Sequence, residues 1–187
     1  MDVYLTTLRM HLRGFDPAAH DAEFLWELDG DPAVTRFTLT VRGTRAMYRD
    51  RVVQYRQGLT ASGGRLGYFV AVARDGWEPK GELGWFHLKP VADDPSAAEV
   101  GYRLKRVVWG QGYATEGTRA LLDKAFGDLG LERVLATALA ANGASIRVME
   151  KAGMVYEDHY QHRHTDGTAY AAVRYGMRRA EWVGGGD

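Results

Sequence analysis

Apolar positions along this chain switch between two periods, and the switches outline its elements. From Leu5 to Phe15, Leu8, Met10 and Leu12 alternate against Arg9, His11 and Arg13, which predicts a strand. Asp16-Pro17 then offers a capping carboxylate and a proline suited to a first helical turn. A helix is expected over 18–28, with Phe24, Leu25 and Leu28 buried, broken at Asp29-Gly30-Asp31-Pro32. Thr44 to Leu59 reads as a second helix packing through Met47, Val52, Tyr55 and Leu59. After a loop at Ser62-Gly63-Gly64, strands are predicted at Leu66–Arg74 and Lys80–Leu88, joined through Asp75–Pro79. Pro90–Ser96 reads as a polar loop, and Glu99–Leu104 as the next strand.

The strongest helical pattern runs from Tyr113 to Leu129. Ala114, Gly117, Thr118, Leu121, Leu122, Ala125, Phe126 and Leu129 form one apolar stripe, with Glu116, Arg119, Asp123 and Lys124 away from it. Gly130 stops it. A strand at Glu132–Leu139 follows, then a short helix from Asn142 or Ser145 to Ala152, ended by Gly153. Val155–Arg163 and Thr168–Met177 read as two strands around the hairpin turn Thr165-Asp166-Gly167. Helices and an antiparallel meander in the first half, then strand, helix, strand, helix and hairpin, predict a mixed α/β sheet with helices packed on it.

The chemistry concentrates between the Glu99–Leu104 strand and the Tyr113 helix. In Trp109-Gly110-Gln111-Gly112-Tyr113-Ala114-Thr115-Glu116, two glycines set one residue apart form a tight turn into a helix N-terminus. Backbone N–H groups converge there, and the helix dipole favours an anion, above all a phosphate. A nucleotide P-loop needs lysine and a hydroxyl after the last glycine, and Tyr113-Ala114 stand there instead. A dinucleotide fingerprint needs a third small residue where Thr115 stands, and an acid after the next strand, which ends Thr137-Ala138-Leu139-Ala140. An ordinary strand-to-helix connection is the bland alternative.

Composition narrows the field. The 24 basic and 24 acidic side chains cancel, so no global field points to nucleic acid or an anionic membrane. The first residues lack the regions of a signal peptide and no apolar run approaches bilayer length, so a cytoplasmic protein is expected. The 187 residues fit one domain over 1–183, with a disordered tail at 184–187. There is no cysteine, which removes disulfides, thiolate metal sites and a thiol nucleophile together.

The stretch Glu99-Val-Gly-Tyr-Arg-Leu104 followed by Trp109-Gly-Gln-Gly-Tyr-Ala-Thr-Glu116 resembles the coenzyme A-binding motif of the GNAT acetyltransferases. The likeness is greatest to the branch of ribosomal-protein N-terminal acetyltransferases. Leu8–Arg13, Asp31-Pro32-Ala33-Val34, and Asn142 to Met154 with Ser145 and Gly153 resemble further motifs of that branch, in order and spacing. The sequence departs at Val107, where the family's pattern begins with Gln or Arg; Arg106 lies one residue earlier, able to reach a phosphate or to sit in solvent. The resemblance implies a central mixed, mostly antiparallel sheet of about seven strands with a V-shaped splay, flanked by about four helices. It implies acetyl-CoA as donor, no metal, and a primary amine as acceptor, either a protein N-terminus or a small molecule.

By that resemblance, Val107, Gly110, Gln111, Gly112, Tyr113, Ala114 and Thr115 hold the pyrophosphate. The pantetheine arm pairs along the strand at Tyr102, Arg103 and Leu104; Asn142 contacts that arm or the adenosine end, and Ser145 contacts the cofactor near the thiol. A main-chain N–H near Tyr102 or Arg103 is the implied oxyanion donor. Glu99 is the candidate base, acting through water or with its pKa raised by burial, unless it merely pairs with Arg103 on the same strand face. Ser145 is the candidate acid for the leaving thiolate, and Asn142 is also a natural helix cap. Glu116 at a helix N-terminus is explained by the dipole alone. Trp26, Trp77, Trp85 and Trp182 read as core or interface packing. His159, His162 and His164 read as exposed hairpin residues, with a metal site or an acceptor-pocket wall, shared with Tyr160 and Tyr170, as alternatives. The C-terminal hairpin is a candidate homodimer edge. The absent cysteine favours direct transfer in a ternary complex over a thiol relay. A non-catalytic acyl-CoA sensor and a nucleotide-binding protein are the competing functions.

Overall fold

The computed structural model describes residues 3–184; the tail expected to be disordered falls, apart from Gly184, outside them. One eight-stranded sheet runs in the order β1-β2-β3-β4-β5-β6-β8-β7. Its strands are β1 (Val3–Thr6), β2 (Met10–Gly14), β3 (Gly67–Ala73), β4 (Glu82–Val91), β5 (Asp94–Leu104), β6 (Arg133–Leu139), β7 (Val155–Arg163) and β8 (Ala169–Arg178). The helices are α1 (Asp21–Leu28), α2 (Pro32–Thr35), α3 (Arg45–Ala61), α4 (Tyr113–Asp123) and α5 (Gly143–Lys151). The mixed, mostly antiparallel architecture expected from the sequence is present, with one more strand and one more helix.

Several local expectations need correction. The strand expected over Leu5–Phe15 is two strands, because the Thr7 hydroxyl accepts from the Met10 amide at 3.1 Å and folds Thr7–Arg9 into a turn, leaving Leu8 exposed. Asp16 does not start α1 directly; its carboxylate accepts from Ala18 in a separate turn, and α1 begins at Asp21. Asp31 caps the unforeseen α2, with Pro32 at its first position. Met47 is exposed on α3, and the neighbouring Tyr48 is buried in its place. The expected loop at Pro90–Ser96 is mostly strand. Pro90 pairs with Ala98 where the register slips, a position at which its missing N–H is tolerated. The long helix narrows to α4, and Lys124–Asp128 widens into a π-turn.

The sheet separates two cores. On one face Phe69, Phe86, Leu88, Val100 and Leu104 pack with Tyr113, Leu121, Leu122 and Phe126 from α4 and its extension. On the other, Val70 and Trp85 pack with Phe24, Leu25 and Leu28 of α1 and Tyr48 and Val52 of α3. Buried charges tie this second layer down. Arg13 makes two 2.7 Å bonds to Asp21, and the Asp29 carboxylate accepts from Tyr48 at 2.8 Å and from Arg51 at 3.3 Å. Arg103 of β5 closes the Asp29 cluster.

The decisive feature is how little β5 and β6 pair. They run parallel, and only Ala97–Glu99 match Arg133–Leu135. Beyond that point β5 stays paired with β4 to Leu104 while β6 follows β8 to Leu139, so the two strands diverge. This is the expected V-shaped splay. From Val100 onward the edge of β5 that faces the gap carries no strand.

Close approach of α4 to the sheet is set by Gly117, where an added Cβ would stand 2.3 Å from Phe86 Cζ. Gly58 on α3 has open space around it. Gly58→Ala is expected to stabilise the fold by about 0.5–1 kcal/mol through helix propensity. Gly117→Ala is expected to destabilise it by about 1–3 kcal/mol despite the same propensity gain, because the core is overpacked. Urea unfolding midpoints of the two variants test this opposition in sign.

Candidate active site

The gap between β5 and β6 ends, at the C-terminus of β5, in the glycine turn. Gly110 and Gly112 both hold positive φ, 74° and 85°, which side-chain-bearing residues rarely adopt. Gly112 is the N-cap of α4 and no side chain caps that end, so its first N–H groups remain available to an anion. The turn is braced from below: Trp109 Nε1 donates to Leu104 O at 2.8 Å and Gln111 Nε2 to Val107 O at 2.7 Å. Val107 is exposed beside it. Arg106 lies 3.6 Å from Asp31 and is mostly in solvent.

One residue that organises this turn was not singled out from the sequence. Arg9, in the β1–β2 turn, donates through Nη1 to Gln111 O at 2.8 Å and through Nε to Glu116 at 2.6 Å. Its guanidinium lies 3.9 Å from the centre of the Tyr113 ring. Glu116 also accepts from the Thr7 hydroxyl at 2.5 Å and the Arg9 amide at 2.9 Å. The helix dipole is therefore not the whole account of Glu116; it fastens the start of α4 to the far edge of the sheet. Burial would raise its carboxyl, but the bonds from Thr7 and Arg9 outweigh that and hold it below the ordinary value.

Side chains of β5 sort onto the two faces of the gap as alternation requires. Tyr102 points to the α4 side and reaches the N-terminus of α5. Burial raises its phenol, and interaction with the Ser145 side chain pulls part of that shift back. Asn142 caps α5 by accepting from the Ser145 amide at 3.2 Å. Tyr102 on β5 and Ser145 in α5 thus stand on either side of the splay.

Glu99, Gly101 and Arg103 share the opposite face. Glu99 does not pair with Arg103, which turns away to Asp29 and the Thr40 hydroxyl. Glu99 instead lies 3.1 Å from Lys89 Nζ, its partner across the ladder, and 3.7 Å from His87 Nε2. Burial alone would raise the Glu99 carboxyl, the shift required by one of the two routes expected for this base. The contacts with His87 and Lys89 win, and its pKa is lowered. His87 is buried between Trp85 and Tyr68, with neither ring nitrogen hydrogen-bonded.

The remaining candidates disperse. Leu104 is buried and its carbonyl is claimed by Trp109, leaving only its backbone edge. His159 is exposed beside Tyr156 and His162 is exposed, while His164 Nε2 lies 3.1 Å from Leu39 O and ties the β7–β8 turn to the loop after α2. Among the described residues no group of three metal-ligating side chains forms. Trp26 is clasped by Arg42 and Arg45, Trp85 and Trp182 join the cores, and Trp77 is exposed near Arg9.

Residues 9–155 match the acetyltransferase (GNAT) domain. The chain is 31% identical over 182 residues to the FsC-acetyl coenzyme A-N(2)-transacetylase of Aspergillus fumigatus, covering 89% of this chain and 74% of that one. Among solved structures, a GNAT acetyltransferase from Bacillus anthracis superposes with a TM-score of 0.78 at 21% identity, over 96% of this chain and 99% of its own. The coenzyme A complex of RimL, a ribosomal L7/L12 alpha-N-protein acetyltransferase, gives 0.78 at 17% identity, over 95% and 98%.

Because the folded pKa of Glu116 lies below its unfolded value, its stabilisation is complete above the unfolded pKa and fades as pH falls through the folded one. Glu116→Gln is expected to cost about 1.5–3 kcal/mol near pH 7. The gap to wild type should close as the solution is taken below the ordinary carboxylate range. Urea titrations at neutral and strongly acidic pH measure both ends.

Proposed function

The chain belongs to the GNAT acetyltransferase family, and we propose that it moves the acetyl group of acetyl-CoA onto a primary amine by direct attack in a ternary complex. One observation carries this reading. The unpaired edge of β5 runs from just past Glu99 to the open N-terminus of α4, with Tyr102 on it and Ser145 on the other side of the gap. The turn at Val107–Thr115 suits a pyrophosphate, since its glycines hold positive φ and no side chain competes for the helix end. The β5 edge at Tyr102, Arg103 and Leu104 suits an amide-bearing arm added like a strand. Asn142 and Ser145 bound the arm from α5. The whole unit is one catalytic domain over 1–183.

The acceptor must shed a proton before its nitrogen attacks, and the departing thiolate must gain one. Glu99 opens the path for the first proton on one face, and the Ser145 hydroxyl, beside Tyr102, serves the second on the other. A free N–H of β5 near Tyr102 or Arg103 is the donor for the carbonyl oxygen during attack. With no cysteine in the chain, no protein thioester precedes the transfer. The N(2) position named for the fungal relative favours a small-molecule amine, and the likeness to RimL keeps a protein N-terminus as the second acceptor class.

Release of coenzyme A thiol, read with a thiol reagent against a panel of amines, tests the reading, and this chain contributes no thiol background. Glu99→Gln is expected to lower kcat by about 100-fold and Ser145→Ala by about 10-fold, with acetyl-CoA affinity within about 2-fold of wild type. Gly112→Val should instead weaken acetyl-CoA binding by at least about 10-fold, measured by calorimetry. Tight acetyl-CoA binding with no turnover on any amine would make the protein a binding module.

A further inference from the structure

His87 has no part in the scheme above, yet its surroundings single it out. It sits on β4 directly across from Gly101, near the start of the free stretch of β5. A Cβ at position 101 would come within 2.7 Å of the imidazole, so the glycine leaves room for the ring against the strand where the sheet opens. The ring is buried and stacks near Trp85, with Tyr68 at its edge. Both ring nitrogens are inaccessible and without a hydrogen-bond partner, a rare condition for a buried polar group. The nearest polar atom of opposite charge is Glu99 Oε1, 3.7 Å from Nε2.

Resting on the transferase reading, we propose that His87 holds the proton taken from the acceptor amine, with Glu99 passing it inward and Lys89 keeping Glu99 ionised. A carboxylate held by an ammonium at 3.1 Å is a poor resting place for a proton at neutral pH. A neutral imidazole with an unpaired ring nitrogen beside it can take the proton in transit. Burial draws His87 below its ordinary value, so it rests neutral and ready to accept, while Glu99 favours its charged form once the proton arrives. The other groups facing this spot leave the balance intact. Tyr68 and Trp85 are uncharged, Arg103 is committed to Asp29, and Tyr55 behind Tyr68 has its phenol pushed up to about 12.

The step balances. The acceptor arrives as an ammonium. One proton crosses Glu99 to His87 Nε2, and the freed nitrogen pair forms the C–N bond as the carbonyl π pair moves onto oxygen. When the carbonyl re-forms, the C–S bond breaks with its electrons on sulfur. The second nitrogen proton goes to that thiolate by way of Ser145. The products are the acetylated amine and coenzyme A thiol, and the proton on His87 returns to solvent by the way it came, through Glu99. His87 acts through Glu99, so it is a relay and positioning residue.

The test compares kcat/KM against pH for wild type, His87→Gln and Glu99→Gln, using an amine that wild type acetylates. Wild type should lose activity on the acid side with a midpoint below the ordinary imidazole value. His87→Gln should lose that limb and fall about 100-fold in kcat, with acetyl-CoA affinity unchanged as proof of folding. Long-range nitrogen NMR on wild type should find His87 neutral near pH 7. In Glu99→Gln its pKa should move further down, because the carboxylate favouring the charged ring is gone. An active wild type whose rate and acid limb survive His87→Gln, or a His87 indifferent to Glu99→Gln, overturns the relay alone. A wild type that acetylates no amine overturns the transferase reading, and the relay with it.

Discussion

Everything in this molecule that bears on chemistry follows from the short parallel contact between β5 and β6. A longer contact would seal the sheet and leave no gap; a shorter one would detach its C-terminal half. Both neighbours enforce the divergence, since β4 holds β5 to its end and β8 holds β6. Backbone groups that a closed sheet would have consumed are left facing solvent in a line. Exposed strand edges are ordinarily a hazard, and here the edge lies recessed inside a sheet instead of at its margin.

The two faces of β5 then divide the electrostatic labour. On the α4 side the groups are the hydroxyls of Tyr102 and Ser145. On the α1 and α3 side they are ionic, Glu99 with Lys89 and Arg103 with Asp29. Zero net charge conceals this polarity, because it arises from strand alternation within a few residues and not from any regional excess.

Local periodicity and turn chemistry made most elements legible in the sequence: the apolar stripe of α4, the Asn142 cap and the C-terminal hairpin all stand where the pattern places them. The errors lie where a polar side chain overrides the pattern. Thr7 folds a run of alternating residues into a hairpin, and a register slip lets Pro90 remain in a strand. The glycine turn was legible because its requirement is conformational and confined to a few residues. The partners of Glu99 were not. Lys89 and His87 meet it only through the β4–β5 register, and Arg103, the partner that strand spacing suggested, is drawn off by Asp29 from 74 residues away. Arg9 escaped notice for the same reason, its contacts lying more than a hundred residues along the chain.

The strand order carries a last consequence, concerning how the chain comes into being. β8 is the final strand in sequence, yet it lies inside the sheet, between β6 and β7. β7 reaches the rest of the sheet through β8 alone. A ribosome would therefore release β7 with nothing to pair against, and β6 would be held by its short pairing with β5 alone until the last strand slid into place. The order of the sheet makes this fold all-or-nothing at its C-terminal side: a chain stopped after β7 would lack not an edge but a keystone.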